Sequence, residues 1–547
     1  MKFQLKKPEE WASLLSVAAL TVVCLAPFLG KAFHMDDPLF IWSARQIQSH
    51  PLDFYGFDLN WVGGMAPMSK VMENPPLASY YLALVGWLFG WSEPALHAGF
   101  LLPALMVVLG THRLARHFCS HPFQAALAVL ATPVFVLCGT GLMCDVMMLA
   151  FWVWAMCFWM EGLEKGSRAE LFISALLMAA CAMTKYFGVS LAPLLLAHAL
   201  LGKYPVRRWL PFLAAPLVIL GLYQWWAFRL YGHGLLGGAV AYAVGVRVGV
   251  GLPGRLLTSF AFMGGCMAVL PAAVPFLWGA RRALAAIPAF ALVALASVMM
   301  KQVGVFKVAD GQGVRWGYVL QLSFWVVGGL SLGALAVADW RRHKTTASLL
   351  LILWVAGTFV FTSVLNWTVS GRNILPMLPA AALLLIRRVE ARARFGGGRP
   401  WPLLWLPLAF SLGVALLAGW ADYRLAGSER AAVSAFQQRA GPDAQTACFE
   451  GHWGFQYYME QMGAAPLDEF HPSLKPNQVI VIPLNNCYLF RPPGNLEGWF
   501  QYEGESPRWL TTMNEHVGAG YYSDGWGPLP FVFGRVPMAQ YAVWRAR

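Results

Sequence analysis

The sequence predicts an all-α polytopic membrane bundle of about thirteen transmembrane helices, each needing about twenty apolar residues to cross a bilayer. It further predicts interfacial helices in the first outer loop and a small α/β domain at the C-terminus. Three observations carry this. Of 547 residues, 58% are hydrophobic and 12% charged, about half the charged share of a soluble domain. Apolar runs of membrane length recur as far as residue 420. Beyond that point Asp, Glu, Gln, Pro and Gly rise and the long runs stop.

The first run, 12–30, follows Lys2, Lys6 and Lys7. It is longer than the apolar segment of a cleavable signal and no small-x-small site follows it, so it reads as a retained first helix. Further runs fall at 95–112, 122–141, 146–161, 168–184, 186–202, 209–227, 256–278, 283–300, 318–338, 347–366, 373–387 and 401–420. The run 76–91 is ambiguous by length alone, and charge decides it. With the N-terminus in the cytoplasm, alternate connections carry Arg113 and Arg116; Lys165 and Arg168; Lys203, Arg207 and Arg208; Arg281 and Arg282; Arg341, Arg342 and Lys344; and a cluster from Arg387 to Arg399. This phasing obeys the positive-inside rule only if 76–91 lies at the interface and does not cross. Both flanks of 168–202 are basic, which calls for two short passes with Lys185 at their outer tip.

Three outer segments exceed a simple turn: 31–94, 229–255 and 301–316. Long loops on one face of a rigid bundle usually carry function. An odd number of crossings puts the last part of the chain outside as well. The expected organisation is a membrane domain over 1–420 and a periplasmic C-terminal domain over 421–547, with β-like runs at Val479–Pro483, 531–536 and 541–544.

The net charge is +13, but the basic residues sit as small clusters between apolar runs and form no stripe, so no nucleic-acid partner is expected. Nine cysteines are present. No C-x-x-C spacing occurs, and most lie in apolar runs where they act as small hydrophobes. Cys448 and Cys487 fall in the polar C-terminal region, and whether they pair is left open. Phosphate-loop, zinc-protease and serine-esterase motifs do not occur.

The residues with chemistry lie on the outer side. Asp36 and Asp37 lie a few residues past the first apolar run. A carboxylate at a helix mouth is solvated, paired or functional. Asp before Pro38 also fits a helix cap; the functional reading makes Asp36 a general base for an acceptor hydroxyl. Asp145 is a second acid, between two apolar helices, where a helix cap is again the alternative. Outer cations are few, and Lys70, Lys185, Arg247, Arg255 and Arg372 are the candidates among them for holding an anion. Singly each reads as a snorkelling anchor; together with the acids they outline a site for an anionic head group.

The stretch His34-Met35-Asp36-Asp37-Pro38-Leu39-Phe40-Ile41-Trp42-Ser43-Ala44-Arg45 resembles the first outer loop of GT-C glycosyltransferases, in the branch of the protein O-mannosyltransferases and the lipid A aminoarabinose transferases. Asn74-Pro75-Pro76-Leu77, Ala131-Thr132-Pro133 followed by Asp145, Met183-Thr184-Lys185 and Gly371-Arg372-Asn373-Ile374-Leu375-Pro376 resemble later elements of that branch. The resemblance spans roughly residues 10–390. It implies an inverting glycosyltransferase of the bacterial inner membrane that takes a sugar from a polyprenyl-phosphate carrier to a lipid, glycan or protein acceptor. Carried over by position, Asp36 is the main catalytic carboxylate, Asp37 supports it and Asp145 orients the acceptor or stabilises the site. Lys185 and Arg372 then contact the lipid phosphate, and Lys70, Asn74 and Arg255 are further candidates to hold the phosphate or sugar. No cofactor is required; Glu73, with His233 as a partner, is a candidate for a structural divalent metal. Two departures stand out: Asp37 replaces the more usual Glu, and Asn74 stands where the aminoarabinose enzymes have Lys. The rival classes are a transporter or flippase of lipid-linked sugars and a noncatalytic subunit that binds them. A transporter would carry charges at the bilayer midplane and repeated halves, and neither is visible.

Overall fold

The computed structural model describes residues 8–72, 74–245, 251–279, 283–311, 313–395, 400–490 and 494–547. Helices dominate up to residue 440. The first, Pro8–Leu25, leads into a loop that carries Asp37–Ser49, a short hairpin pairing Asp58–Asn60 with Met65–Pro67, the turn of helix Met68–Val71, and Leu77–Phe89. Glu93–Ala115, Asp145–Lys165, Arg168–Thr184, Val206–Tyr231, Trp316–His343 and Thr346–Val360 are the long apolar helices that follow. The 41-residue helix Pro400–Ala440 closes the bundle.

Among the described residues, seven helices are long and apolar enough to cross a membrane, or nine if two bent pairs each count as one. The count is below the expected thirteen because two apolar runs are bent and others form shorter helices, Tyr186–Leu201 and Ala286–Met300 among them. Pro122–Leu130 and Pro133–Gly139 meet at 66°, and Leu252–Cys266 and Val269–Trp278 at 84°. Proline explains the first break: Pro133 has no N–H to continue the preceding ladder and starts the second piece. Leu77–Phe89 has 13 residues. At about 1.5 Å rise per residue it falls short of the ~30 Å hydrocarbon core. Its Trp87 is 73% exposed, as an apolar side chain is when lipid is its solvent. The 168–202 region splits at Lys185, which lies in extended backbone between Arg168–Thr184 and the next helical turn.

The C-terminal region is only partly a body of its own. A five-stranded sheet runs in the order Leu496–Gly504, Ala539–Ala546, Val479–Pro483, Cys448–Phe449, Ala465–Pro466; the first two junctions are antiparallel and the last two parallel. With helix Trp453–Met462 and the end of the 41-residue helix it encloses a separate core of Phe436, Phe449, Phe455, Met459, Val481 and Val543. The boundary expected at 420/421 therefore falls inside a continuous helix. The stretch between the last two long strands does not join that core. It returns to the bundle, where Tyr521, Leu529 and Phe531 are fully buried. The β-like run at 531–536 contributes only Val532–Phe533, paired with Leu510–Thr511. Cys448 and Cys487 are both free.

Candidate functional site

The site begins where the first helix ends. Met35 has a φ of 48°, a left-handed conformation rare for a residue with a side chain and often found at functional loops. The turn it makes sends the two neighbouring carboxylates in different directions. Asp36 occupies the N-cap position of Asp37–Ser49, but its side chain bonds no helix N–H. It turns instead to Arg372, whose Nη1 donates to Asp36 Oδ2 at 2.8 Å. Among the described residues no hydrogen bond engages Asp36 Oδ1, and the side chain remains 32% exposed.

Asp37 is fully buried and points inward. Its two oxygens accept backbone N–H groups from His34 (3.0 Å) and Leu142 (2.8 Å). It thus ties the start of its own helix to the turn that precedes Asp145. Burial pushes its carboxyl up to about 6, although Lys31 and the two N–H groups pull the other way. The folded chain then holds the proton between the ordinary carboxylate value and about 6 while the unfolded chain has released it, so this residue costs stability as pH rises through that window. Asp37→Asn is expected to flatten the fall between about pH 4 and pH 6 relative to the wild type, as read from thermal midpoints in detergent across pH.

Asp145 is the first residue of Asp145–Lys165, where the positive end of the helix favours an anion. Lys185 Nζ donates to its Oδ1 at 2.6 Å. The bent 131–133 break delivers this acid: the short helix Pro133–Gly139 ends in the turn whose Leu142 is held by Asp37. Among the described residues, Asp145 Oδ2 is buried without a hydrogen-bond partner, and so is Arg372 Nε. Arg372 belongs to the single-turn helix Gly371–Ile374, capped by Ser370. Burial lowers its pKa, but the fields of Asp36 and then Asp145 outweigh that and raise it, so it stays charged between the two acids.

The remaining sequence candidates are more scattered. Lys70 is exposed at the end of Met68–Val71. Asn74 takes the Tyr55 hydroxyl on its backbone carbonyl at 2.7 Å. Arg255 is buried and donates to the Asn366 carbonyl at 2.5 Å, bracing the loop that leads to Arg372. His233 does not fit a metal ligand: its Nδ1 lies 2.9 Å from the Tyr231 carbonyl and its Nε2 3.3 Å from that of Ser69. Among the described residues no group of three His, Cys, Asp or Glu could hold an ion; Glu73 and Arg247 lie outside the described residues.

Sequence reading missed the layer beneath the acids. Asp422, fully buried on the 41-residue helix, accepts Lys31 Nζ (2.6 Å), the Tyr522 hydroxyl (2.8 Å) and Thr512 Oγ1 (2.7 Å). His34 Nε2 lies 3.9 Å from Asp422, and its Nδ1 lies 3.4 Å from Glu429. The Phe33 N–H donates to the Tyr458 hydroxyl, which in turn donates to Glu93, a carboxylate also paired with Arg430. Close approach here requires glycine at 454, where a Cβ would overlap the Phe33 carbonyl and the Glu429 carboxylate. One signal was available: Asp422 sits just past an apolar run, as Asp36 does, and the same cost argument applies to both.

Fold and site together define a polytopic membrane protein in which two acids and two cations pair at broken helix junctions. Residues 73–227 match the family model described as dolichyl-phosphate-mannose-protein mannosyltransferase. That meets the resemblance read from the sequence over this segment, which is under a third of the chain. No curated protein sequence matches the chain. Among solved structures, the archaeal oligosaccharyltransferase AglB from Archaeoglobus fulgidus, in complex with an inhibitory peptide and a dolichol-phosphate, is similar at 14% identity and a TM-score of 0.48, over 84% of this chain and 64% of that one. The chain therefore spans less than two thirds of that protein's length. ArnT from Cupriavidus metallidurans bound to undecaprenyl phosphate is similar at 14% identity and a TM-score of 0.45, over 87% of this chain and 94% of that one. Arabinosyltransferase EmbB from Mycobacterium smegmatis is similar at 14% identity and a TM-score of 0.36, over 94% and 48%.

Proposed function

We propose that the chain is an integral-membrane inverting glycosyltransferase that moves a hexosyl or pentosyl group from a polyprenyl-phosphate carrier to a lipid, glycan or protein acceptor. The observation that carries this reading is the pairing of Asp36 with Arg372 and of Asp145 with Lys185. Arg372 sits in the field of both acids. The family match over 73–227 supports the reaction class.

The donor is an anion that must leave as one. Arg372 and Lys185 are the cations placed to take its phosphate, each already held beside an acid of the site. Cations fixed before the reaction stabilise leaving-group charge without reorganising. The bond between the anomeric carbon and the phosphate oxygen breaks, and a bond from the acceptor oxygen to that carbon forms on the opposite face. Asp36 Oδ1 takes the acceptor proton. Where the acceptor is itself a phosphate there is no proton to remove, and Asp36 positions it. Asp37 holds the loop in place. No step uses a metal or cofactor.

The basic connections support an N-terminus in the cytoplasm, with the 31–94 loop and the C-terminal region on the periplasmic side of a bacterial inner membrane. On this reading the membrane domain ends near 420, and 421–547 is the periplasmic part. The test is release of polyprenyl phosphate from a polyprenyl-phosphate sugar by the purified chain in lipid. A transporter would move the lipid across vesicles without cleaving it, and a binding subunit would do neither; either outcome defeats the proposal.

A further inference from the structure

The seat of Arg372 is built by a part of the chain that the reaction scheme leaves unused. The Gly371 N–H donates to the Tyr521 carbonyl at 2.8 Å. No side chain fits at 371, because a Cβ would overlap the Tyr521 ring. Tyr521 is anchored in turn, its hydroxyl 3.1 Å from Cys138 Sγ and 3.3 Å from the Val134 carbonyl, both in the short helix Pro133–Gly139. The next residue repeats the contact with side chains. The Arg372 guanidinium carbon lies 5.9 Å from the centroid of the Tyr522 ring, within the roughly 6 Å reach of a cation–π attraction. The far end of that ring is pinned, since its hydroxyl donates to the buried carboxylate of Asp422 at 2.8 Å. Asp422 also holds Lys31, five residues before Asp36. Two consecutive residues of the C-terminal stretch thus grip two consecutive residues of the site, and one carboxylate registers both sides.

We infer that Tyr522, held by Asp422, is a positioning residue for Arg372: its ring seats the guanidinium where the donor phosphate must meet it. This rests on the transferase reading above and adds that the C-terminal stretch completes the donor site. The ring offers a negative face that holds a planar cation without neutralising it as a carboxylate would. Arg372 can therefore loosen from Asp36 toward a phosphate and still keep its place.

The test is titration of the purified full-length chain in detergent with undecaprenyl phosphate. Tyr522→Met removes the ring and is expected to weaken binding by about tenfold, the order a partly desolvated cation–π contact supplies. Tyr522→Phe keeps the ring and is expected to stay within about threefold of wild type. Replacing Tyr522 by trifluorophenylalanine strips the negative face with little change of shape, so the comparison with Phe stands even if the Met variant does not fold. Weaker binding than the Phe variant supports the inference; equal binding overturns it. Equal losses in the Met and Phe variants would overturn it too, because they would trace to the Asp422 hydrogen bond alone. Arg372→Ala separates the two levels. If it abolishes binding while the ring variants do not matter, only the role of Tyr522 falls. If it binds like wild type, the lipid-phosphate site itself is wrong.

Discussion

Asp36→Asn is expected to lower transfer to a hydroxyl acceptor by about 10²–10⁴, the range a positioned general base supplies. The substitution is close to isosteric. Asn can still accept from Arg372 Nη1 through its carbonyl oxygen, so the loop and the guanidinium keep their places. It cannot take the acceptor proton. Undecaprenyl phosphate binding should be unchanged or tighter, because Arg372 loses its closest counter-charge. Loss of turnover with binding retained marks a group used in the transition state. A reconstituted assay of lipid-phosphate release, paired with a binding titration, checks both halves. Full transfer by the Asn variant would remove Asp36 from the chemistry.

The largest stability effect is expected at Asp422. Asp422→Ala leaves the Lys31 ammonium, 1% exposed, without the carboxylate that now lies 2.6 Å away. Removing one partner of a buried pair costs about 3–5 kcal/mol, because the other charge stays desolvated. Thr512 and Tyr522 lose an acceptor in the same step. Thermal unfolding in detergent should show a sharply lowered midpoint, and any folded fraction should release lipid phosphate poorly. Adding Lys31→Met is expected to restore part of the loss, since the orphaned buried ammonium is then removed. The restoration should be incomplete because the two hydroxyls are still orphaned. A double variant no more stable than Asp422→Ala alone would show that the Lys31 charge is not the source of the cost.

The two acids of the first loop show how far residue type can be read. Asp36 and Asp37 look alike in a sequence, and the resemblance ranks them only by position. The turn at Met35 separates them into a partly exposed carboxylate paired with a cation and a buried one spent on two backbone N–H groups. The cations divide in the same way. Lys185 and Arg372, taken as one group with Lys70 and Arg255, are the two that meet acids of the site. Arg255 braces a loop carbonyl, and Lys70 is exposed. Spacing could not sort them, because their partners lie 40 and 336 positions away in the chain.

Local pattern alone determined that this chain lives in lipid, that its polar C-terminal region folds partly as a sheet, and that Asp36 and Asp145 are costly enough to need a purpose. Each of these follows from hydropathy, helix length and the cost of charge in a thin apolar layer, all properties of neighbouring residues. Only the tertiary structure decided which cation serves which acid, and that Tyr521 and Tyr522 return from the far end of the chain to grip Gly371 and Arg372. Those outcomes depend on packing between segments that are 40 to 336 positions apart in the chain. Asp422 and Lys31 are separated by 391 positions and joined by one hydrogen bond, a pairing that no periodicity in either segment encodes.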